Sequence, residues 1–137
     1  MKIRMGFVTN SSSTLFILGF KKEDGDIAGY ILKQTPLELA GFIIKDVMSS
    51  LVSPEEAVRK YREEVDNMYY WHVDDKKKRR ELINGEVNEF RKKIEGMDRI
   101  AFVQYGNDGG DESGRGAEIE NYVLPYTDFC IATVNYH

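Results

Sequence analysis

Gly106 to Glu120, "GNDGGDESGRGAEIE", holds the chain's densest set of oxygen-bearing side chains. Asn107, Asp108, Asp111, Glu112 and Glu118 could supply carbonyl or carboxylate oxygen to a hard divalent cation such as Ca²⁺ or Mg²⁺. Five of the first eleven residues are glycine, which frees the backbone for left-handed and close turns. The spacing departs from the EF-hand pattern. Counted from Asn107, position five is Asp111 and position twelve is Glu118, but Gly109 and Glu112 stand where a ligand and a glycine are needed. No P-loop lysine is present, and carboxylates repel an anion. A solvated loop in which Arg115 pairs locally is the alternative to a cation site.

A second distinctive tract is Asn10, Ser11, Ser12, Ser13 and Thr14, set between apolar runs. Such side chains bond nearby backbone and favour turns. Five in succession exceed what a tight hairpin needs. They could also offer hydrogen bonds to an anion or a peptide, or accept a modification. The stretch around them, "GFVTNSSSTLF" from Gly6 to Phe16, resembles a short N-terminal segment, G-F-V-S-N-S-S-S-S-S-F, that recurs in uncharacterised prokaryotic and phage proteins. Thr9 and Thr14 occupy positions where that segment favours serine, and Leu15 precedes the phenylalanine. The resemblance covers about a tenth of the chain and implies a prokaryotic or viral source, with no mechanism attached.

Three further clusters have both a functional and an ordinary reading. "KKKRR", Lys76 to Arg80, could grip nucleic acid, but acidic residues flank it, as on a solvated helix face. "MYYWHV", Met68 to Val73, could stack on a base. It could equally fill the junction of two helices with its polar tips in water. Cys130, the single cysteine, lies in "FCIATV" and reads as a small core residue. The hydrolase, zincin, Rossmann and Walker motifs are all missing, so the sequence singles out no catalytic residue.

The elements that must position these groups follow from periodicity. Strands are expected over about 2–8, 14–20, 99–105 and 128–136, the first two forming a hairpin around the serine tract. "TPLELAGFIIKDVMSSL" opens with Thr35 as cap, Pro36 in the first turn and Glu38 completing a capping box. Leu39, Phe42, Ile43, Val47 and Leu51 form its apolar stripe. Ser53, Pro54 and Glu56 open a second helix. A third begins near Asp74 and carries Ile83, Val87, Phe90 and Ile94, with Asn84-Gly85 as a possible break. A short helix precedes Pro125. Strands at both ends of a helical block imply one α+β domain over 1–137: a mostly antiparallel four-stranded sheet with about three helices on one face.

The chain has 137 residues and a net charge of −4. Residues 95–137 carry eight acidic and two basic groups, a net of −6, so the excess is acidic and C-terminal. That sign argues against a nucleic-acid partner held through its phosphates. No apolar run has the roughly 20 residues of a membrane helix, and the N-terminus lacks a signal-peptide pattern. A lone cysteine fits a cytoplasmic location. The leading expectation is a binding or assembly module whose partner is another protein or a second copy. Its expected contact surfaces are the sheet edges and the aromatic helical hairpin, with the Ile83–Ile94 stripe packing within the chain or across two. The alternatives are a divalent-cation enzyme or sensor using 106–120, and nucleic-acid binding through Lys76–Arg80.

Overall fold

The computed structural model describes residues 13–106 and 115–136. The expected strand over 2–8 lies outside them. Within them the fold is α+β, built on a four-stranded antiparallel sheet. In chain order come β1 (Ser13–Phe20), α1 (Ile27–Gln34), α2 (Leu37–Met48), β2 (Leu51–Val52) and α3 (Pro54–Val65). Then follow α4 (Lys76–Lys93), β3 (Arg99–Gly106), α5 (Arg115–Glu118) and β4 (Cys130–Tyr136). The sheet order is β2-β3-β1-β4.

β1 lies in the middle of the sheet. Ser13 pairs with Gly106 on one side and with Tyr136 on the other, so both edges of the strand are taken at that point. All eight of its residues are buried. Leu15 and Ile17 point to one face, where they pack with Ala57, Val58, Tyr61 and Val65 of α3 and with Ile83, Val87 and Phe90 of α4. Phe16, Leu18 and Phe20 point to the other, against Ile31 of α1 and Leu39, Ile43 and Val47 of α2. Ile119, Val123, Leu124 and Phe129 close that second layer.

The expectation of about three helices on one face is therefore corrected. Four helices lie between β1 and β3, two on each face. The reason is legible in "LFIL", Leu15 to Leu18: a strand covered on one face alternates apolar and polar residues, whereas these four are apolar in succession.

Helix starts follow local chemistry. Asp26, Ser53 and Asp75 each accept hydrogen bonds from first-turn amides of α1, α3 and α4. Thr35 does not cap α2 as expected. Its hydroxyl donates back to the Ile31 carbonyl at 2.9 Å and closes α1, while Pro36 takes the cap position without a side-chain bond. α1 itself has only a weak sequence signal, with Gly29 inside an eight-residue segment. Its start is set by the preceding turn, where Gly25 has φ of +84°, a conformation that side-chain-bearing residues rarely adopt. α4 passes through Asn84-Gly85 unbroken, because Ile83, Val87 and Phe90 bury against the sheet and outweigh a glycine cost of about 1 kcal/mol. Leu51, expected in the α2 stripe, belongs to β2. The short helix before Pro125 begins as α5, widens into a π turn over Ile119–Val123 and ends as a 3₁₀ turn that includes Pro125.

Candidate functional site

The sheet order brings the two tracts singled out in the sequence to one end of the sheet. Ser13, which closes the serine tract, is paired with Gly106, which opens the acidic loop. The contact extends to side chains. The Thr14 hydroxyl donates to Glu120 Oε2 at 2.6 Å. Its oxygen also lies 3.2 Å from Asn135 Oδ1, but a single hydroxyl proton serves one acceptor, and the shorter contact to the carboxylate takes it. Ser13 Oγ accepts from Gln104 Nε2 at 2.7 Å.

Ser13 and Thr14 are thus buried strand residues whose hydroxyls serve their own sheet, rather than members of a turn. Asn10, Ser11 and Ser12 lie outside the described residues, as do Asn107, Asp108, Asp111 and Glu112. Glu118 is exposed in α5. Among the described residues, no group of three His, Cys, Asp or Glu side chains could hold a metal ion. Glu120 and Thr14 were not foreseen as a pair, since strand order, which periodicity does not give, brings them together.

Beside this end, the Tyr105 hydroxyl donates to Asp46 Oδ2 at 2.5 Å. Burial, then the bond to Asp46 and its charge, push the phenol well above its ordinary range. Phe42, Asp46, Tyr105, Arg115, Gly116 and Ile119 surround a cavity of about 160 Å³. The Arg115 guanidinium sits 3.9 Å above the Phe42 ring, a cation–π contact that covers part of an otherwise exposed aromatic.

The aromatic run at the α3–α4 junction divides. Met68 and Tyr70 pack against the core, as the helix-junction reading expects. Trp71 is 66 % exposed, and His72 is exposed beside it. Tyr61 stacks on Phe90 at 4.2 Å and, with Tyr70, points its hydroxyl at Glu86. Tyr136 donates to Glu64. Burial, followed by the Glu86 charge, pushes Tyr61 up to about 12.

The folded chain therefore holds the Tyr61 proton above the ordinary value of 10.0. Stability from this group is complete below pH 10 and is lost as pH rises through 12. Thermal melts across that window should show a falling midpoint, and Tyr61→Phe should flatten part of the fall. A midpoint that does not move between these pH values would contradict the burial of these phenols.

Cys130 is half-buried against the α1–α2 layer, and burial pushes its thiol pKa up, against the thiolate form. In the basic run, Lys77 and Lys78 are exposed to solvent. Lys76 and Arg80 are exposed too, and with the half-buried Arg79 they line an open cleft of about 330 Å³ with Arg62, Asp66 and Ile83. Among the described residues, no helix is long and apolar enough to cross a membrane.

α2 exposes apolar side chains as well as burying them. Its inner side buries Leu39, Ala40, Ile43 and Val47. A second stripe of Leu37, Gly41, Ile44 and Met48, spaced four, three and four, runs along another side of the same helix, with Ile44 half-buried against the core. Leu37 is 78 % exposed and Met48 52 % exposed, and Leu32 of α1 is exposed as well. The Ile83–Ile94 stripe of α4, a sequence candidate for pairing across two chains, is spent inside the chain against the sheet.

Comparison of the chain with protein-family models, with curated proteins and with solved structures found no match in any of the three.

Proposed function

We propose that this protein is an assembly module that pairs with a second copy of itself through α2. The observation that carries the proposal is the second apolar stripe. A helix on a protein surface normally buries one apolar face and turns polar residues outward. α2 fills its inward face and still presents Leu37 and Met48 outward, with Ile44 half-buried between them.

Gly41 lies in the middle of that stripe. A Cβ built there meets nothing within 4 Å, so nothing in the fold requires a glycine. Glycine inside a helix costs about 1 kcal/mol relative to alanine. Its use is to let another backbone approach closely.

Charge supports a second copy as the occupant and antiparallel as the orientation. Glu38 and Lys45 are seven residues apart, each directly following a stripe residue, and both are exposed. An antiparallel two-fold pairing sets Leu37 against Met48 of the other copy and brings Glu38 toward its Lys45. A parallel pairing would set like charges together, and flanking charges of this kind select partner and orientation in paired helices.

The direct test is sedimentation of the chain and of Leu37→Glu/Met48→Glu, which should lose association. Gly41→Ala separates the two uses of this surface. In a free helix it should stabilise the fold by about 0.5–1 kcal/mol. In a tight helix pair it should also weaken association.

A second reading rests on the Thr14–Glu120 hydrogen bond, which ties the serine tract to the end of the acidic loop. In that reading the sheet end holds a divalent cation and supports a phosphoester enzyme or a sensor. Metal-free protein melted with and without millimolar Ca²⁺, Mg²⁺ or Mn²⁺ tests it. A cation at about a hundred times its Kd should add roughly 2.7 kcal/mol, and Asp111→Ala should abolish the gain. An unchanged melting temperature with all three cations would remove this reading.

A further inference from the structure

We propose that the cleft between α3 and α4 binds the phosphate group of a small phosphorylated ligand. Four cationic side chains, Arg62, Lys76, Arg79 and Arg80, line it against one carboxylate, Asp66, with Ile83 as the apolar part of its wall. Four positive charges less one negative leave a net of +3 around about 330 Å³. That volume is within the range of small-molecule sites and admits a phosphate with its attached group.

The single carboxylate is already engaged. Asp66 Oδ1 accepts from Arg79 Nε at 2.6 Å and lies 2.5 Å from Nη2. It therefore orients the guanidinium more than it repels an anion. The Trp71 carbonyl lies 3.5 Å from Arg79 Nη1 and holds the third nitrogen. Arg62 is steadied in turn by Asn84, whose Oδ1 accepts from Nη1 at 2.9 Å. Two guanidinium groups are thus pre-set on the cleft wall, the arrangement that suits multidentate recognition of a tetrahedral oxyanion. Lys76 and Arg80 form no ion pair among the described residues, so their charge is available to a ligand.

The placement also carries a cost that a ligand would offset. Lys76 through Arg80 crowd five cations into the start of α4, where the helix dipole disfavours positive charge. An anion in the cleft relieves that repulsion. A nucleic-acid strand fits less well. The next cation along the same side of α4, Arg91, lines a separate cavity together with Glu55 and Glu95, so no continuous basic strip leads away from the cleft.

Trp71 is the chain's single tryptophan, and its backbone touches the cleft through Arg79, which makes its fluorescence the natural reporter. The full chain would be titrated at constant ionic strength with inorganic phosphate, with glucose 6-phosphate, with chloride and with a short single-stranded DNA. Calorimetry would be run alongside. Saturable binding of either phosphate, without a matching chloride response, is expected. Lys76→Gln/Arg80→Gln should weaken it by at least about tenfold, since hydrogen bonds to charged groups are individually worth about that factor. Among the described residues neither is bonded to another side chain, and their removal eases the crowding of cations, so the variant's melting temperature without phosphate should equal or exceed the parent's. A response equal to that of chloride would overturn the proposal. So would phosphate binding that the double variant leaves intact. DNA binding with steep salt dependence and no phosphate binding would also overturn it, in favour of a nucleic-acid surface.

Discussion

Ile17→Ala and Leu18→Ala should each destabilise the protein by about 2–5 kcal/mol. These neighbours on β1 point in opposite directions, and neither is exposed to solvent. Ile17 packs under α3 and α4, and Leu18 under α1 and α2. Each truncation opens a cavity in a different layer, and the sheet between them limits how far either can collapse. A sheet covered on one face would give a different pair of values, one large and one well below 1 kcal/mol, because an outward methyl group gains little from burial. Denaturant unfolding of the two variants at one temperature measures both. Two large losses would support helices on both faces, and one small loss would contradict them.

Much of this architecture can be read from residues. The strands over 13–20, 99–106 and 130–136 follow from runs of β-branched and aromatic side chains. α3 and α4 follow from apolar spacing behind Ser53-Pro54 and Asp75. What failed was the assignment of faces. Four apolar residues in succession, Leu15 to Leu18, signal two covered faces, whereas element order alone suggests one. Thr35 shows a different limit. A threonine before a proline can close the preceding helix as readily as open the next one, and the sequence alone does not choose.

For the candidate site, the serine tract and the acidic loop stand out by composition. Their meeting at one sheet end depends on β1 lying between β3 and β4, a long-range pairing without a local signal. The basic cleft is hidden for a similar reason. Asp66, which fixes Arg79, lies thirteen residues before it on another helical segment. The open stripe of α2 was legible in principle. Leu37, Ile44 and Met48 fall outside the stripe of Leu39, Ile43 and Val47, and a helix apolar on two sides needs a second surface to cover it.

The largest functional effect is expected at that stripe. Leu37→Glu/Met48→Glu puts four carboxylates into a two-fold contact whose centre is apolar, and unpaired charge at such a contact is strongly unfavourable. Both side chains are exposed in the single chain, so the fold should keep its melting temperature in the dissociated state. The charges beside the stripe give a sharper result. Lys45→Glu alone should weaken association by setting Glu38 of one copy against a new carboxylate of the other. Adding Glu38→Lys should restore it, since the exchanged pair has the same complementarity. A general loss of solubility or of fold would not show that rescue.

Sedimentation equilibrium of the unmodified chain across a concentration series, beside Leu37→Glu/Met48→Glu, tests pairing through α2 most directly. The expected result is a reversible monomer–dimer equilibrium for the parent chain and a monomer at every concentration for the variant. A parent chain that stays monomeric throughout, or a variant that dimerises as tightly as the parent, would contradict assembly through this helix.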